Sequence, residues 1–257
     1  VATLRSRGFI VMEPEVGRLT GSDSGQGRFP QTQAIIDQFF VISGSKRDLL
    51  GKKVLVTAGG TREAIDPVRF IGNRSSGKQG IAVAKAAAAR GATVHLIAAN
   101  VAIEDCEGVA TTHVESAEQM LVELEKSFDD TDILVMSAAV ADYKPKNIVN
   151  QKIKKVDSTL NLELTATKDI LASLGEIKKH QFLVGFALET NNEIEYAKGK
   201  IQRKNLDAIV LNSLQDKGAG FATNTNKITI IDKNLNVKPF ELKSKAAVAK
   251  DIINEII

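Results

Sequence analysis

The stretch from Thr57 to Gly80 holds the residue types best suited to binding a phosphate. It follows an apolar strand predicted at residues 53–58, is rich in glycine and hydroxyl side chains, and leads into a helix predicted at residues 78–90. A glycine-rich loop before a helix can hold an anion, because free backbone N–H groups and the positive end of the helix dipole point at it. This loop therefore predicts a site for a phosphorylated ligand.

Three other interpretations of this loop stay open at the level of the residues. Residues 72–79 nearly match the P-loop pattern, but Gln79 replaces the hydroxyl that would bind Mg²⁺, and the motif begins well beyond the strand. A dinucleotide fingerprint fits less well, because Gly59-Gly-Thr lacks the G-x-G-x-x-G spacing and no acidic residue ends the strand at 93–98. A plain connecting loop is the remaining alternative.

A second candidate region follows the strand predicted at residues 132–139. Ligands in open parallel sheets bind beyond the carboxyl ends of strands, and Asp142 falls at such a position. Residues 144–155, hereafter the lysine segment, hold five lysines and no acidic residue. This composition is typical of a cationic flap that closes over a triphosphate, and a solvated loop is the alternative.

Two further positions could contribute to a nucleotide site. Tyr196, Lys200 and Lys204 recur at a spacing of four in a helix predicted at 192–204, so they share one face, although an exposed helix surface has the same pattern. Phe186 stands near the end of a strand predicted at 182–188, where it could pack against a base or simply belong to the core.

Composition excludes several classes of protein. A net charge of +3 gives no global field that would recruit nucleic acid, and three scattered histidines with one cysteine predict neither a transition-metal site nor a disulfide framework. A lone cysteine fits a reducing cytoplasm. No apolar run approaches the ~20 residues of a membrane span, and no secretory signal is present. The start at Val1 suggests a fragment of a longer polypeptide.

The alternation of strands and helices predicts an α/β fold. We expect a mostly parallel, Rossmann-like sheet with helices on both faces, followed by a hairpin of strands at 227–231 and 237–242. Residues 1–50 read differently, as a tail with a linker, with a short strand at 9–12 and a loop at 21–28. The expected division is therefore a tail at 1–50 and a domain at 51–257.

Taken together, the motifs resemble the phosphopantothenoylcysteine synthetase family, the second half of a bifunctional bacterial enzyme of coenzyme A synthesis. The resemblance rests on motifs that occur in order over most of residues 51–257. They are Thr57-Ala-Gly-Gly-Thr-Arg-Glu-Ala-Ile-Asp66, Pro67-Val-Arg-Phe-Ile-Gly-Asn-Arg-Ser-Ser-Gly-Lys78, Ala138-Ala-Val-Ala-Asp-Tyr143, Lys152-Ile-Lys-Lys155, Gly185-Phe-Ala-Leu-Glu-Thr-Asn-Asn192 and Arg203-Lys-Asn-Leu-Asp207.

The tail resembles the end of the flavin-dependent decarboxylase half of the same bifunctional enzyme. Residues 13–19 and 23–28 match its substrate-clamp region, but Thr20-Gly-Ser-Asp23 lacks the cysteine that the family carries there. The body that binds flavin is not in the sequence either, so decarboxylation is not expected of this chain.

The resemblance implies a ligase that joins 4′-phosphopantothenate to cysteine, with CTP as cosubstrate and Mg²⁺ as cofactor. The carboxylate would first displace pyrophosphate to give an acyl-cytidylate, which the amine of cysteine then attacks. The resemblance also implies a cytoplasmic homodimer, with residues 227–242 as our candidate interface, and a decarboxylase domain in the full-length protein. A catalytically inactive nucleotide-binding or oligomerisation module is the alternative; nucleic acid and membranes are not expected partners.

The resemblance assigns roles to individual residues. Asn73 and Lys152 would be catalytic, and Arg69 with Asn73 would bind the phosphopantothenate substrate; no residue is expected to bind a metal by itself. The nucleotide would be bound by Gly59, Gly60, Ser75, Met136, Ser137, Ala138, Asp142, Lys152, Asp169, Ile170, Leu171, Phe186, Lys200 and Lys204.

Overall fold

The computed structural model describes residues 1–18, 23–44, 46–102, 106–155, 159–189, 191–213 and 223–257. The chain divides into two compact units, Val1–Arg47 and Asp48–Ile257. Within the described ranges, every helix is too short or too polar to span a lipid bilayer.

The smaller unit consists of short elements. They are helix α1 at Ala2–Ser6, strands β1 at Glu15–Arg18 and β2 at Ser24–Arg28, and helix α2 at Thr32–Ser43. The prediction of a strand at residues 9–12 is wrong, because these residues form no regular structure. The prediction of a loop is wrong for Ser24–Arg28, which pairs with β1 despite its glycines. Thr20 and most of the clamp-like stretch around it lie outside the described residues.

The larger unit contains fourteen further strands and five helices among its described residues. The strands are β3 Lys53–Gly59, β4 Arg62–Ala64, β5 Phe70–Gly72, β6 Thr93–Ala99, β7 Ala110–Val114, β8 Ile133–Met136, β9 Tyr143–Pro145, β10 Leu164–Ala166, β11 Phe182–Glu189, β12 Ala208–Ser213, β14 Ile228–Asp232 and β15 Val237–Pro239, and a short pair is formed by β13 Thr225–Asn226 and β16 Lys243–Ser244. The helices are α3 Lys78–Ala89, α4 Ala117–Phe128, α5 Ile170–Glu176, α6 Glu193–Arg203 and α7 Lys245–Glu255.

Eight of these strands form the central sheet, in the order β15-β14-β12-β11-β8-β3-β6-β7. The six from β7 to β12 are parallel, whereas β14 and β15 add an antiparallel hairpin at one edge. The predicted parallel sheet and late hairpin are therefore confirmed. Counted along the chain, the parallel strands follow the Rossmann order 3-2-1-4-5-6, in which β3 and β8 flank the point where the order reverses.

Helices cover both faces of the sheet, as predicted. On one face, α3 and α7 pack against side chains that include Val54 and Val56 of β3. On the other face, α4, α5 and α6 pack against side chains that include Leu55. All four residues of β8 are buried, as expected for a parallel strand covered on both sides. Packing on both faces therefore holds the ends of the strands at fixed positions.

Three small sheets were not predicted from the sequence. Strand β4 pairs with β5, β9 pairs with β10, and β13 pairs with β16, all antiparallel. The first pair lies inside the glycine-rich loop, between β3 and α3. The residues of the P-loop-like motif therefore follow a hairpin, and the P-loop interpretation, which requires the motif to follow the buried strand directly, is not supported.

Candidate active site

A cleft of about 490 Å³ lies at the point where the strand order of the sheet reverses. Its volume is in the range of small-molecule sites, and the carboxyl ends of β8, β11 and β12 border it together with the start of α3. Twelve of the sixteen residues assigned from the sequence line it. They are Asn73, Ser75, Met136, Ser137, Ala138, Asp142, Asp169, Ile170, Leu171, Phe186, Lys200 and Lys204.

Gly59 and Gly60 lie beside this cleft and do not line it. Gly59 has a φ of +89°, and a Cβ there would stand 1.9 Å from the carbonyl oxygen of Ala99. The carbonyl of Gly59 accepts a hydrogen bond from the amide of Ala139 (2.8 Å), and Gly60 forms a parallel bridge with Ala139. These glycines therefore allow the loops after β3, β6 and β8 to approach each other closely.

Asn73 joins the glycine-rich loop to the loop after β8. Its side-chain Nδ2 donates to the carbonyls of Ala139 (3.3 Å) and Val140 (3.1 Å). Ser75 lies two residues further on, and its hydroxyl accepts from the amide of Gly77 (3.4 Å), the residue that caps α3. Gly77 to Gly80 also line the cleft, so the positive end of the α3 dipole faces a ligand there.

The residues after β8 form a second wall. The hydroxyl of Thr57, on β3, accepts from the amide of Ala138 (3.0 Å), which fixes the backbone where β8 ends. Thr167 donates its hydroxyl to the carbonyl of Ala141 (2.6 Å) and its amide to the carbonyl of Asp142 (2.9 Å). This wall presents backbone groups in a fixed geometry, as recognition of a nucleobase or ribose requires.

The two lysines on α6 each have an acidic partner. Lys200 Nζ lies 2.6 Å from Glu189 Oε1, and Lys204 Nζ lies 2.8 Å from Asp169 Oδ2. Burial opposes ionisation of Asp169, but hydrogen bonds from Lys204 and the Ala172 amide, with the charges of both lysines, outweigh it and hold the pKa of that carboxyl below its usual value. The lysines therefore present N–H donors to the cleft with their charge already balanced.

Lys152 and Arg69 lie outside the residues that line the cleft. Arg69 is the last residue of the turn between β4 and β5, and its guanidinium donates to the carbonyl of Ile153 (2.9 Å). It also lies 3.3 Å from Asp66 Oδ2. Lys152 is exposed and is the chain neighbour of Ile153. Arg69 thus contacts the lysine segment at the residue that directly follows Lys152.

Several residues of the cleft had no role in the sequence-based assignment. Asn212, Asn226 and Lys245 come from the last quarter of the chain. The Oδ1 atom of Asn212 is buried and has no hydrogen-bond partner in the described part of the chain, so it can accept from a ligand. Burial, followed by the nearby charge of Lys78, lowers the pKa of Lys245. No sequence motif marks Asn212, Asn226 or Lys245. Lys78 does lie within a motif quoted above, Pro67–Lys78, but no role was assigned to it.

A family model matches nearly the whole of the larger unit. The family described as the DNA/pantothenate metabolism flavoprotein C-terminal domain covers residues 49–257. The chain belongs to this family. The predicted family resemblance and the predicted fold are both confirmed, since a solved member, the C-terminal domain of the coenzyme A biosynthesis bifunctional protein CoaBC, is 41% identical, with a TM-score of 0.69 over 81% of this chain and 95% of that one.

Two curated relatives align with essentially the whole of this chain. One, from an unknown prokaryotic organism, is named cysteine/cysteine sulfinic acid decarboxylase; it is 45% identical over 99% of this chain and 72% of its own length. The other is the coenzyme A biosynthesis bifunctional protein CoaBC of Mycobacterium tuberculosis strain H37Rv, which is 42% identical over the whole chain. The chain spans 65% of the length of that relative, just under two thirds.

Proposed function

We propose that this chain is a phosphopantothenate–cysteine ligase that uses CTP in coenzyme A biosynthesis. The observation that carries the proposal is the cleft at the switch point, lined by twelve residues that the family resemblance assigns to the reaction. Membership of the family and relatives named for coenzyme A biosynthesis support it. We further propose that the full-length protein carries a flavin-dependent decarboxylase domain, and that ligation takes place in the cytoplasm, where CTP is made.

The proposed chemistry has two steps. A carboxylate oxygen of 4′-phosphopantothenate attacks the α-phosphorus of CTP, and the bond to pyrophosphate breaks. The amine of cysteine then attacks the acyl carbon of this mixed anhydride, loses a proton, and CMP leaves. Neither step needs a covalent enzyme intermediate. The protein's task is therefore to position the reactants and to stabilise charge.

The described contacts suit specific residues to parts of this task. Asn73 lies where the glycine-rich loop meets the loop after β8, so its amide can contact the acyl group. Phe186 and the backbone at Met136–Ala138 would hold the cytosine base, with Asp142 on the ribose. Lys200 and Lys204 would donate to the triphosphate, and Lys152 would stabilise charge at the α-phosphate. Arg69 keeps guanidinium N–H groups beyond its contacts to Asp66 and Ile153, and these would bind the phosphopantothenate.

A Mg²⁺ ion would reach the cleft on the triphosphate. Among the described residues, no group of three or more histidine, cysteine, aspartate or glutamate side chains is arranged to hold a metal by itself. Mg²⁺ bound to nucleotides is usually held by phosphates, water and one or two carboxylates, and Asp142 and Asp169 line the cleft. When bound, the ion would offset negative charge on the phosphates.

The proposal is tested by incubating the chain with Mg²⁺, 4′-phosphopantothenate and either CTP or ATP, with and without cysteine. Pyrophosphate, nucleoside monophosphate and the cysteine adduct are followed. We expect pyrophosphate with CTP and phosphopantothenate, and CMP with adduct only when cysteine is added. Turnover with ATP at an equal rate would contradict the choice of nucleotide.

Two other outcomes would favour different functions. Tight CTP binding without pyrophosphate release would favour an inactive nucleotide-binding module. Release of carbon dioxide from cysteine alone would favour the activity for which the 45%-identical relative is named.

A further inference from the structure

The turn between β4 and β5 contains a buried carboxylate with a contact beyond its own turn. The side chain of Asp66 is fully buried. Its Oδ1 accepts from the amides of Val68 and Arg69, both at 2.8 Å, as expected for a carboxylate that closes a tight turn. Its Oδ2 accepts from the amide of Ile153 (3.1 Å), a residue 87 positions later in the chain. One oxygen thus shapes the turn, and the other holds the lysine segment.

Arg69 holds the other side of the same peptide. One terminal nitrogen of its guanidinium donates to the carbonyl of Ile153 (2.9 Å), and the other lies 3.3 Å from Asp66 Oδ2. The amide and the carbonyl of Ile153 are therefore both bound by a charged pair. Burial opposes ionisation of Asp66, but the three backbone amides and the charge of Arg69 outweigh it and lower the pKa of its carboxyl, so the pair is charged at neutral pH.

At its start, the lysine segment is fixed by the pairing of β9 with β10 and by the amide of Lys146, which donates to the carbonyl of Glu163 (2.9 Å). Residues 146–155 form no helix or strand, and Lys152, Lys154 and Lys155 are exposed. A backbone without regular hydrogen bonds loses much conformational entropy when it is fixed in one conformation. Besides the contacts of Ile153, the amide of Val149 donates to the carbonyl of Ile65 (3.2 Å), again on the turn between β4 and β5. The turn between β4 and β5 therefore supports the later part of the lysine segment, at Val149 and Ile153, and this part includes Lys152.

We propose that Asp66 and Arg69 form a latch, in which they position the backbone of Ile153 and thereby the neighbouring Lys152 for the ligation reaction. The inference rests on the proposed function, in which Lys152 stabilises charge at the α-phosphate. Asp66 acts through the peptide that it holds and is a positioning residue. Arg69 has two tasks, since it holds this peptide and keeps N–H groups for the substrate.

The latch can be tested with Asp66→Asn, because Asn has one acceptor oxygen and cannot accept both from the turn amides of Val68 and Arg69 and from the amide of Ile153. Asp132→Asn is the matched control. Asp132 also accepts from a backbone amide (Lys53, 2.8 Å) and a lysine (Lys52, 3.2 Å), and its pKa is also lowered, but it lies at the opposite end of the sheet. Amide hydrogen exchange of the lysine segment is measured in the full chain without substrate, and kcat and the dissociation constant of CTP are measured separately.

We expect Asp66→Asn to speed exchange at Ile153 by about ten- to hundredfold, the effect of losing a hydrogen bond to a charged group. We expect kcat to fall about tenfold or more through misplacement of Lys152, with CTP binding within about twofold of the unaltered chain. Asp132→Asn should change none of these values. If Asp66→Asn does not fold, Arg69→Lys, which keeps the charge and loses the fork, should speed the same exchange.

Two results would overturn the inference. Unchanged exchange in the Asp66 variant would show that no latch exists. Faster exchange with an unchanged kcat would show that the latch does not position a group that acts in the reaction. If the unaltered chain makes no product, the ligase proposal fails together with the catalytic half of the inference, and the exchange data alone still decide whether the latch exists.

Discussion

At the scale of single residues, two asparagines make the same kind of contact on different sides of the glycine-rich loop. Nδ2 of Asn73 donates to two backbone carbonyls of the loop after β8. Nδ2 of Asn100 likewise donates to two carbonyls, those of Gly60 (2.9 Å) and Glu115 (3.1 Å). Only Asn73 lines the cleft. Comparing variants of the two residues can therefore separate the effect of losing contacts between loops from the effect of losing a contact with a ligand.

We expect Asn73→Asp to lower kcat at least about a hundredfold, the effect of removing one stabilising group from a reaction site. A carboxylate cannot donate to the two carbonyls and would repel the anionic acyl-cytidylate. Steady-state adduct formation measures the loss. Asn100→Asp removes an equivalent pair of hydrogen bonds away from the cleft and should keep kcat within about threefold. Equal losses in both variants would mean that Asn73 serves only to join the loops.

How far single residues could be assigned from the sequence depended on whether a motif surrounds them. Asn73 stands in a contiguous motif before a predicted helix, Asp142 stands in one after a predicted strand, and the sequence analysis assigned roles to both. Asn226 and Lys245 reach the cleft because β13 and α7 fold back against α3. Tertiary packing alone brings them there, and no local pattern reports it. The latch residue Asp66 lay within a quoted motif, but its contact with Ile153 depends on a distant segment.

At the scale of elements, the sequence predicts strands and helices that are long enough to show a continuous apolar run or a helical spacing of apolar residues. Strands β3, β6, β8 and β11 and helices α3 and α6 were predicted from such patterns, whereas no strand was predicted at β7, whose sequence ATTHV is not a continuous apolar run. Strands β4, β5, β9 and β10 have three residues each, too few for any period to appear. Strands β4 and β5 flank the turn that holds Asp66 and Arg69, so two of the missed strands are ones that the latch requires.

Helix α6 allows a prediction with an internal control. Lys200 and Lys204 line the cleft, whereas Lys198 on the same helix does not line it and lies 4.0 Å from Glu195. We expect Lys200→Ala or Lys204→Ala to weaken CTP binding about tenfold, since each variant loses a charged hydrogen bond to the ligand. Lys198→Ala should leave the dissociation constant unchanged. Calorimetric titration with CTP, in the absence of the other substrates, measures all three.

A different result with these variants would change the role assigned to Lys200 and Lys204. The acidic partners Glu189 and Asp169 already balance the lysine charges. If both cleft variants bind CTP as well as Lys198→Ala does, the two lysines serve to hold those carboxylates in place and do not contact the nucleotide.

At the scale of the whole molecule, β15 is one of the two edge strands of the central sheet, the other being β7. All residues of β15 are exposed. The hairpin is fixed to the domain, because Lys238 Nζ lies 2.6 Å from Glu255 Oε1 of α7. An exposed edge strand is suited to pairing with a second copy through two-fold symmetry. The domain also exposes apolar side chains elsewhere, on the β4–β5 hairpin, where Val68 is 59% and Phe70 is 50% exposed.

We propose that the chain is a homodimer through the β14–β15 hairpin, and Val237 tests this. It lies on β15 and is 40% exposed. A lysine there would place two like charges face to face across a two-fold interface, so Val237→Lys should sediment as a monomer where the unaltered chain sediments as a dimer. Val68→Lys, the matched change on the other apolar surface, should remain dimeric. The reverse result would move the interface to the β4–β5 hairpin, next to the turn that holds the lysine segment, and a monomeric unaltered chain would contradict the dimer itself.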